Sequence, residues 1–401
     1  MGKQKINKNV ILLGFTSLFT DISSEMIYPL LPLFLTGPLG ASAAIVGIIE
    51  GIAESIASLL KVFSGALSDW WQRRKPLAIA GYSSSVIGKV ILWLASAWPV
   101  VLVARVVDRI GKGIRTAPRD ALIADSVEKR IRGRGFGLHR AMDTLGAVVG
   151  VSLAIFIFSK WTGNFRLVFF CSIIPAIIGI VCLTRAREVV SSHPRQANSG
   201  KSETITARRP RIPSLKDFGK TWRGLDRKLK AFLIITFVFT LGNSSNQFLL
   251  LRARNTGFGV IGVLALYLLY NVVYMLVSYP AGHFSDLLGP KRILVLGYFV
   301  YGITYFCFAF LPTAGWLWLS IGIYGLYMGL TQGVEKALVS DMAPQEVRAT
   351  LIGLHSTLVG IGLFPASVIA GLLWDAVGPY APFVLGGCAG IGAAVALAVL
   401  I

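Results

Sequence analysis

Between Arg105 and Asp125 the chain reads RVVDRIGKGIRTAPRDALIAD. Before its closing aspartate the stretch holds seven charged residues, Arg105, Asp108, Arg109, Lys112, Arg115, Arg119 and Asp120. At about 100° per residue, all seven fall within an arc of roughly 140° on a helical wheel. The opposite face, which includes Val106, Ile110, Ile114, Ala117, Ala121 and Leu122, carries no charge. Pro118 can kink a helix, which loosens the wheel's phase for Arg119 and Asp120. The surrounding segment is apolar and of membrane length. Charge in a bilayer is costly, so such residues face a bundle interior or a water-filled cavity. The stretch therefore reads as one wall of a polar cavity inside a membrane protein. Lys112, Arg115 and Arg119, three and four residues apart on that stripe, are the candidates for touching a substrate.

A second cluster, Asp21-Ile-Ser-Ser-Glu25-Met-Ile-Tyr28-Pro29, lies near the start of the chain. Asp21 and Glu25 are four apart and share a helical face with Tyr28. An intramembrane carboxylate is suited either to carrying a proton or to pairing with a base, here one from the charged stripe. Through the first five apolar segments there are eight bases, Lys61, Lys89, Arg105, Arg109, Lys112, Arg115, Arg119 and Arg140. Against them stand seven acids, Asp21, Glu25, Glu50, Glu54, Asp108, Asp120 and Asp143. Near balance implies that most are mutual partners. The small surplus is positive, which leans towards an anionic or zwitterionic ligand. The second half of the chain supplies softer groups, Asn243, Asn246, Gln247, Tyr270, Asn271, Tyr274, Gln332, Glu335 and Lys336. Of these, Asn246 and Tyr274 are the candidates for orienting a ligand against the charged wall.

The elements that hold these residues follow from composition. The 401 residues are 54% hydrophobic and 14% charged, with mean hydropathy +0.68, too apolar for an ordinary soluble domain. A formal charge of +20 invites a nucleic-acid reading. The bases, however, lie mainly in short segments between apolar runs, the pattern that orients membrane proteins. No nucleic-acid partner is expected. Six apolar runs of about 20 residues or more lie near 10–35, 41–66, 76–97, 98–124, 135–159 and 165–184, and six more near 231–251, 258–281, 291–311, 313–338, 347–374 and 379–401. The expected fold is thus an all-α membrane protein of twelve transmembrane helices in two six-helix bundles, residues 1–184 and 231–401, joined by a basic linker, 185–230. Bases concentrate at the N-terminus, in the 2-3, 4-5 and 8-9 loops and in the linker. Both termini are therefore expected in the cytoplasm, with the protein a multi-pass component of the cell membrane.

The halves echo each other. GALSDWWQRRKP from Gly65 is matched by GHFSDLLGPKRI from Gly282, and Asp69 and Asp286 are 217 apart. DSVEKRIRGRGFGLHR from Asp125 is matched by DMAPQEVRATLIGLHS from Asp341 at a spacing of 216. Two echoes at nearly one offset indicate a duplicated six-span unit, making the bundles pseudo-symmetric. His139 and His355 occupy equivalent positions of the repeat. Without carboxylate or Cys neighbours at ligand spacing they make a poor metal site, and no metal or cofactor is expected. Cys171, Cys182, Cys307 and Cys388 all sit in apolar runs and read as small core residues.

With these residues the chain resembles the major facilitator superfamily along essentially its whole length. The superfamily's 2-3 loop pattern is matched by Gly65, Leu67, Ser68, Asp69, Arg73 and Arg74, with departures at Trp70 and Gln72; its fourth-span pattern is matched by Arg109 and Gly113. The resemblance implies alternating access about a midplane site. It also implies a cytoplasmic latch, which assigns gating to Asp69, Arg73, Arg109 and Asp125. The first-span carboxylates before Pro29 resemble those of the superfamily's drug/proton antiporters, which implies proton coupling through Asp21 and Glu25. Gly146-Ala-Val-Val-Gly150-Val151 lacks the proline of that branch's fifth-span pattern.

The expected function is accordingly proton-coupled export of a small organic molecule by a monomer in the lipid bilayer. Import or symport of an anionic metabolite, and a non-transporting receptor, are the alternatives. No nucleophile, base and oxyanion set and no phosphate-binding loop point to an enzyme.

Overall fold

The computed structural model describes residues 8–71, 73–126, 132–161, 163–188, 225–311, 313–343 and 348–401, and every regular element among them is helical. The first half comprises α1 (Lys8–Ile27), α2 (Leu31–Thr36), α3 (Ala43–Trp71), α4 (Arg74–Trp93), α5 (Trp98–Asp125), α6 (Arg132–Lys160) and α7 (Phe165–Arg185). The second comprises α8 (Arg227–Gly242), α9 (Gln247–Asn255), α10 (Val260–Leu288), α11 (Pro290–Phe310), α12 (Ala314–Thr331), α13 (Val334–Met342), α14 (Arg348–Ala376) and α15 (Ala381–Leu400). Taking α1–α2, α8–α9 and α12–α13 as single interrupted spans gives twelve. Ten of the twelve are long and apolar enough to cross a membrane by composition alone. The others are α5, diluted by its charges, and α12–α13. Most of the expected linker, 189–224, lies outside the described residues.

The interruptions have local causes. Pro29 lacks an amide hydrogen and its ring clashes with the carbonyl four residues back, which ends α1. Gly242-Asn243-Ser244-Ser245-Asn246 is poor helix sequence, because Asn and Ser side chains compete for backbone hydrogen bonds, and the chain is non-helical from Asn243 to Asn246. The two breaks lie about one repeat offset apart, as duplication requires. Irregular backbone at membrane depth is tolerated where it lines a cavity, which is where both breaks sit. Elsewhere helix starts are capped conventionally. Asn164 accepts from the Leu167 amide at 2.9 Å and Asp226 from the Lys228 amide at 3.0 Å.

The halves meet along a seam between α3 and α14, and a second between α6 and α10. Glycines let the first seam close backbone to backbone. A Cβ on Gly47 would strike the Ser367 carbonyl, and one on Gly371 the Ala43–Ala44 backbone. At the end of the molecule away from the linker, the Asp375 carboxylate at the end of α14 accepts from the amides of Ala43 and Ala44, at 3.2 and 2.9 Å. It thereby caps α3 of the opposite half. This end is packed shut by Leu30, Leu31, Phe34, Phe248 and Leu251, all buried in one continuous core.

Candidate functional site

A cavity of about 430 Å³ lies between the halves, within the usual size range of small-molecule sites. Its first wall is α1, α3, α4 and α5, carrying Asp21, Glu25, Glu54, Lys89, Arg105, Asp108, Arg109, Lys112 and Arg115. Its second is the 243–246 break with α10 and α12, carrying Asn243, Asn246, Tyr267, Tyr270, Tyr324 and Gln332. Charge is confined to the first wall.

Much of that charge is fixed in place. Arg105 lies 2.6 Å from Glu50, which is wholly buried behind it, and 3.6 Å from Asp108. Arg109 lies 3.0 Å from Glu54. Arg115 donates to Ser85 Oγ at 2.5 Å and its guanidinium sits 4.5 Å from the centre of the Tyr82 ring, a cation–π contact. Others are held lightly. Buried Lys89 donates to Ser24 Oγ at 3.3 Å. Lys112 is exposed to the cavity. Neither lysine, nor Asp21, nor Glu25 makes a salt bridge within 4.0 Å among the described residues. Glu25 instead accepts from the Tyr267 hydroxyl across the cavity at 2.9 Å. Tyr28, Tyr267, Tyr270 and Tyr324 form a chain of ring contacts, at 5.7, 5.5 and 5.6 Å in turn. Tyr324 also donates to Asn246 Oδ1 at 2.7 Å.

Arg119 and Tyr274, expected in this cavity, do not line it. Arg119 turns to Asp120 at 2.9 Å and to Ser17 at 3.4 Å; α5 runs helically through Pro118, and its final turns carry Arg119 past the cavity. Tyr274 lines a second cavity of about 680 Å³ nearer the linker end, with Arg140, Glu335 and His355. Arg140 donates to Tyr274 and Tyr274 to Gln332, each at 2.5 Å. Gln332 lines both cavities, so the second cavity adjoins the central one on the linker side.

The profile of the Major Facilitator Superfamily matches residues 13–364, and again 232–401. The chain belongs to the major facilitator superfamily. An uncharacterised MFS-type transporter of Methanocaldococcus jannaschii is 38% identical over 389 residues, 96% of this chain and 92% of that protein. Multidrug resistance protein MdtH of Photorhabdus laumondii is 22% identical over 375 residues, 90% of this chain and 85% of that protein. Two solved structures share the fold. The nucleoside transporter NupG has a TM-score of 0.76, 13% identity and coverage of 98% of this chain and 99% of that one. A POT family transporter in complex with 5-aminolevulinic acid has a TM-score of 0.78, 13% identity and coverage of 98% and 96%. This member of the superfamily is a multi-pass membrane transporter.

Superfamily motifs predict the partners at the linker end only in part. Asp125 pairs with Arg74, not with Arg73; Arg73 is exposed and precedes α4. The side chain of Asp69 lies outside the described residues. Arg109 sits in the cavity wall with Glu54 rather than at this end. Glu188, which no motif marks, accepts from the Arg74 and Lys75 amides at 2.6 and 3.1 Å and caps α4. The histidines are not without carboxylates: His139 Nδ1 lies 3.7 Å from Asp143 and His355 Nε2 3.8 Å from Glu335. No group of three or more metal-ligating side chains occurs among the described residues. Lys89 was legible as an intramembrane base, whereas the cross-cavity role of Tyr267 and the cap at Asp375 carry no local signal.

Proposed function

We propose that this transporter carries a small organic molecule by alternating access and is coupled to protons through Asp21 and Glu25. The observation behind this reading is that both carboxylates line the central cavity, beside Lys89 and Lys112, with no salt bridge among the described residues. An intramembrane carboxylate in that position is suited to proton carriage. Lys112, Arg115 and Asn246 are the substrate contacts. Arg119 and Tyr274 stand on the approach from the linker end. Asp69, Arg73 and Asp125 belong to the latch at that end, with Arg74 as the partner of Asp125, and Arg109 couples cavity to latch along α5. The linker end faces the cytoplasm, as its bases favour, so the cavity is inward-open, in a monomer of the cell membrane.

Export is the direction that the first-span resemblance and the similarity to MdtH support. Uptake of an anionic metabolite with protons is the second reading, and the lightly held Lys89 and Lys112 favour it. The test is flux in proteoliposomes under an imposed pH gradient, over a panel of organic anions and lipophilic cations. Gradient-driven flux that Asp21→Asn with Glu25→Gln renders pH-independent is expected; flux unchanged by both substitutions would remove the proton assignment.

A further inference from the structure

The cavity's charges form a nearly closed set. Five bases line it, Lys89, Arg105, Arg109, Lys112 and Arg115, with four carboxylates, Asp21, Glu25, Glu54 and Asp108; Glu50 behind Arg105 is a fifth. With every group ionised the set is neutral. With Asp21 and Glu25 protonated it carries two positive charges. Glu50 and Glu54 are tied to arginines at 2.6 and 3.0 Å and Asp108 lies 3.6 Å from Arg105, so the groups in no salt bridge among the described residues are Asp21 and Glu25 on one side and Lys89, Lys112 and Arg115 on the other.

We infer that the cargo is a small organic anion with a flat apolar part, and that it loads into the cavity together with protons on Asp21 and Glu25. This rests on the proton-coupled reading and selects uptake from its two directions. Lys89, buried and holding one long bond to Ser24, retains ammonium donors for a ligand. Lys112 is exposed to the same space. Tyr270 lines the facing wall, and an aromatic ring there suits a planar group.

The sign of coupling follows from the neighbours of each carboxylate. Asp21 is faced by Glu25 on its own helix, Arg115 and Arg119 on α5 and Asp143 on α6; Lys89 on α4 shares its cavity. Glu25 is faced by Arg105, Arg109 and Lys112 on α5 and by Tyr267 on α10. An anion drawn to the lysines adds negative charge beside both carboxylates and so favours their protonation. By reciprocity, protonation favours the anion. Exchange of protons for substrate requires the opposite sign, which a cation would supply, but a cation entering here meets the three bases.

The purified full-length protein is titrated calorimetrically with 4-hydroxybenzoate, phthalate, phenyl phosphate and tetraphenylphosphonium, in buffers of different ionisation enthalpy to count protons. Saturable binding of at least one anion with proton uptake is expected. Lys112→Gln should weaken it about ten- to hundredfold, and Lys112→Arg should restore it. A monodisperse gel-filtration peak checks that each variant is folded. The inference is overturned if none of the three anions binds, if binding releases or exchanges no protons, or if both Lys112→Gln and Lys89→Gln leave the affinity unchanged. Tetraphenylphosphonium binding with proton release, lost in Asp21→Asn with Glu25→Gln, would overturn the anion while leaving proton-coupled export standing. Binding without proton exchange for every ligand would remove the coupling itself.

Discussion

Asp375 holds the two halves together at the end away from the linker, and its contribution can be worked out. Its two oxygens accept from the first amides of α3, at 3.2 and 2.9 Å, amides that have no partner within their own helix. When the halves separate at that end, both amides turn to water. Removing a side-chain cap costs about 0.5–2 kcal/mol, and a carboxylate at a helix N-terminus is worth about 0.3–1 kcal/mol. Asp375 is exposed, so solvent screening places its contribution near the middle of the capping range, about 1 kcal/mol, or about fivefold in the ratio of closed to open molecules. Asp375→Ala should lower that ratio about fivefold. Asp375→Asn, which keeps one acceptor, should lower it by about half as much on a logarithmic scale. Spin labels at Leu94 and Val377, exposed positions on opposite halves at this end, report the separation by pulsed dipolar spectroscopy in nanodiscs. An Asp375→Ala distance distribution that superimposes on the parent would refute the cap as an inter-half contact.

The buried pair between Arg105 and Glu50 makes a second prediction: Arg105→Met alone strands a wholly buried carboxylate and should destabilise by about 3–5 kcal/mol in thermal unfolding, with Arg105→Met plus Glu50→Gln recovering much of the loss. Gly371→Leu drives a side chain into the Ala43–Ala44 backbone; an overpacking cost of about 1–3 kcal/mol should shift the Leu94–Val377 distances outwards. At the linker end, Arg74→Gln should shorten the half-life of thermal inactivation or alter the rate of transport, because it breaks the pair with Asp125 that ties α4 to α5 within the first half. Arg73→Gln, whose parent side chain is exposed with no salt bridge among the described residues, should change either by less than twofold.

What the sequence made legible was whatever depends on one helix or on the repeat. The charged face of α5 and the shared helical face of Asp21 and Glu25 follow from period, whereas the breaks in the first and seventh spans appear only in the fold. Arg119 lies outside the central cavity because the wheel gives an angle around the axis and no depth along it: α5 leaves the cavity before its last turns. Tyr274 lies one turn nearer the linker end than Tyr270 on the same face of α10 and lines the second cavity instead. Arg74 rather than Arg73 meets Asp125 because Arg73 is the extended residue before α4, a choice settled by one residue of helix boundary. The bonds from Tyr267 to Glu25 and from Asp375 to α3 span 242 and more than 330 positions of chain, and no pattern within a helix could announce them.

The glycine seam between α3 and α14 bears on how fast the molecule turns over, as distinct from which state it prefers. Where two helices mesh through large side chains, sliding past one another requires many rotamers to change together, and that collective step dominates the barrier. At Gly47 and Gly371 the nearest atoms of the opposite half are backbone, so there is little to unlock. Friction along the seam is low, and in the proposed alternating-access cycle the barrier between states then concentrates in the discrete polar contact that joins the halves, Asp375 with the start of α3. Under that reading the turnover number is set at the Asp375 end, far from the candidate cargo cavity, so rate and selectivity can change by separate substitutions.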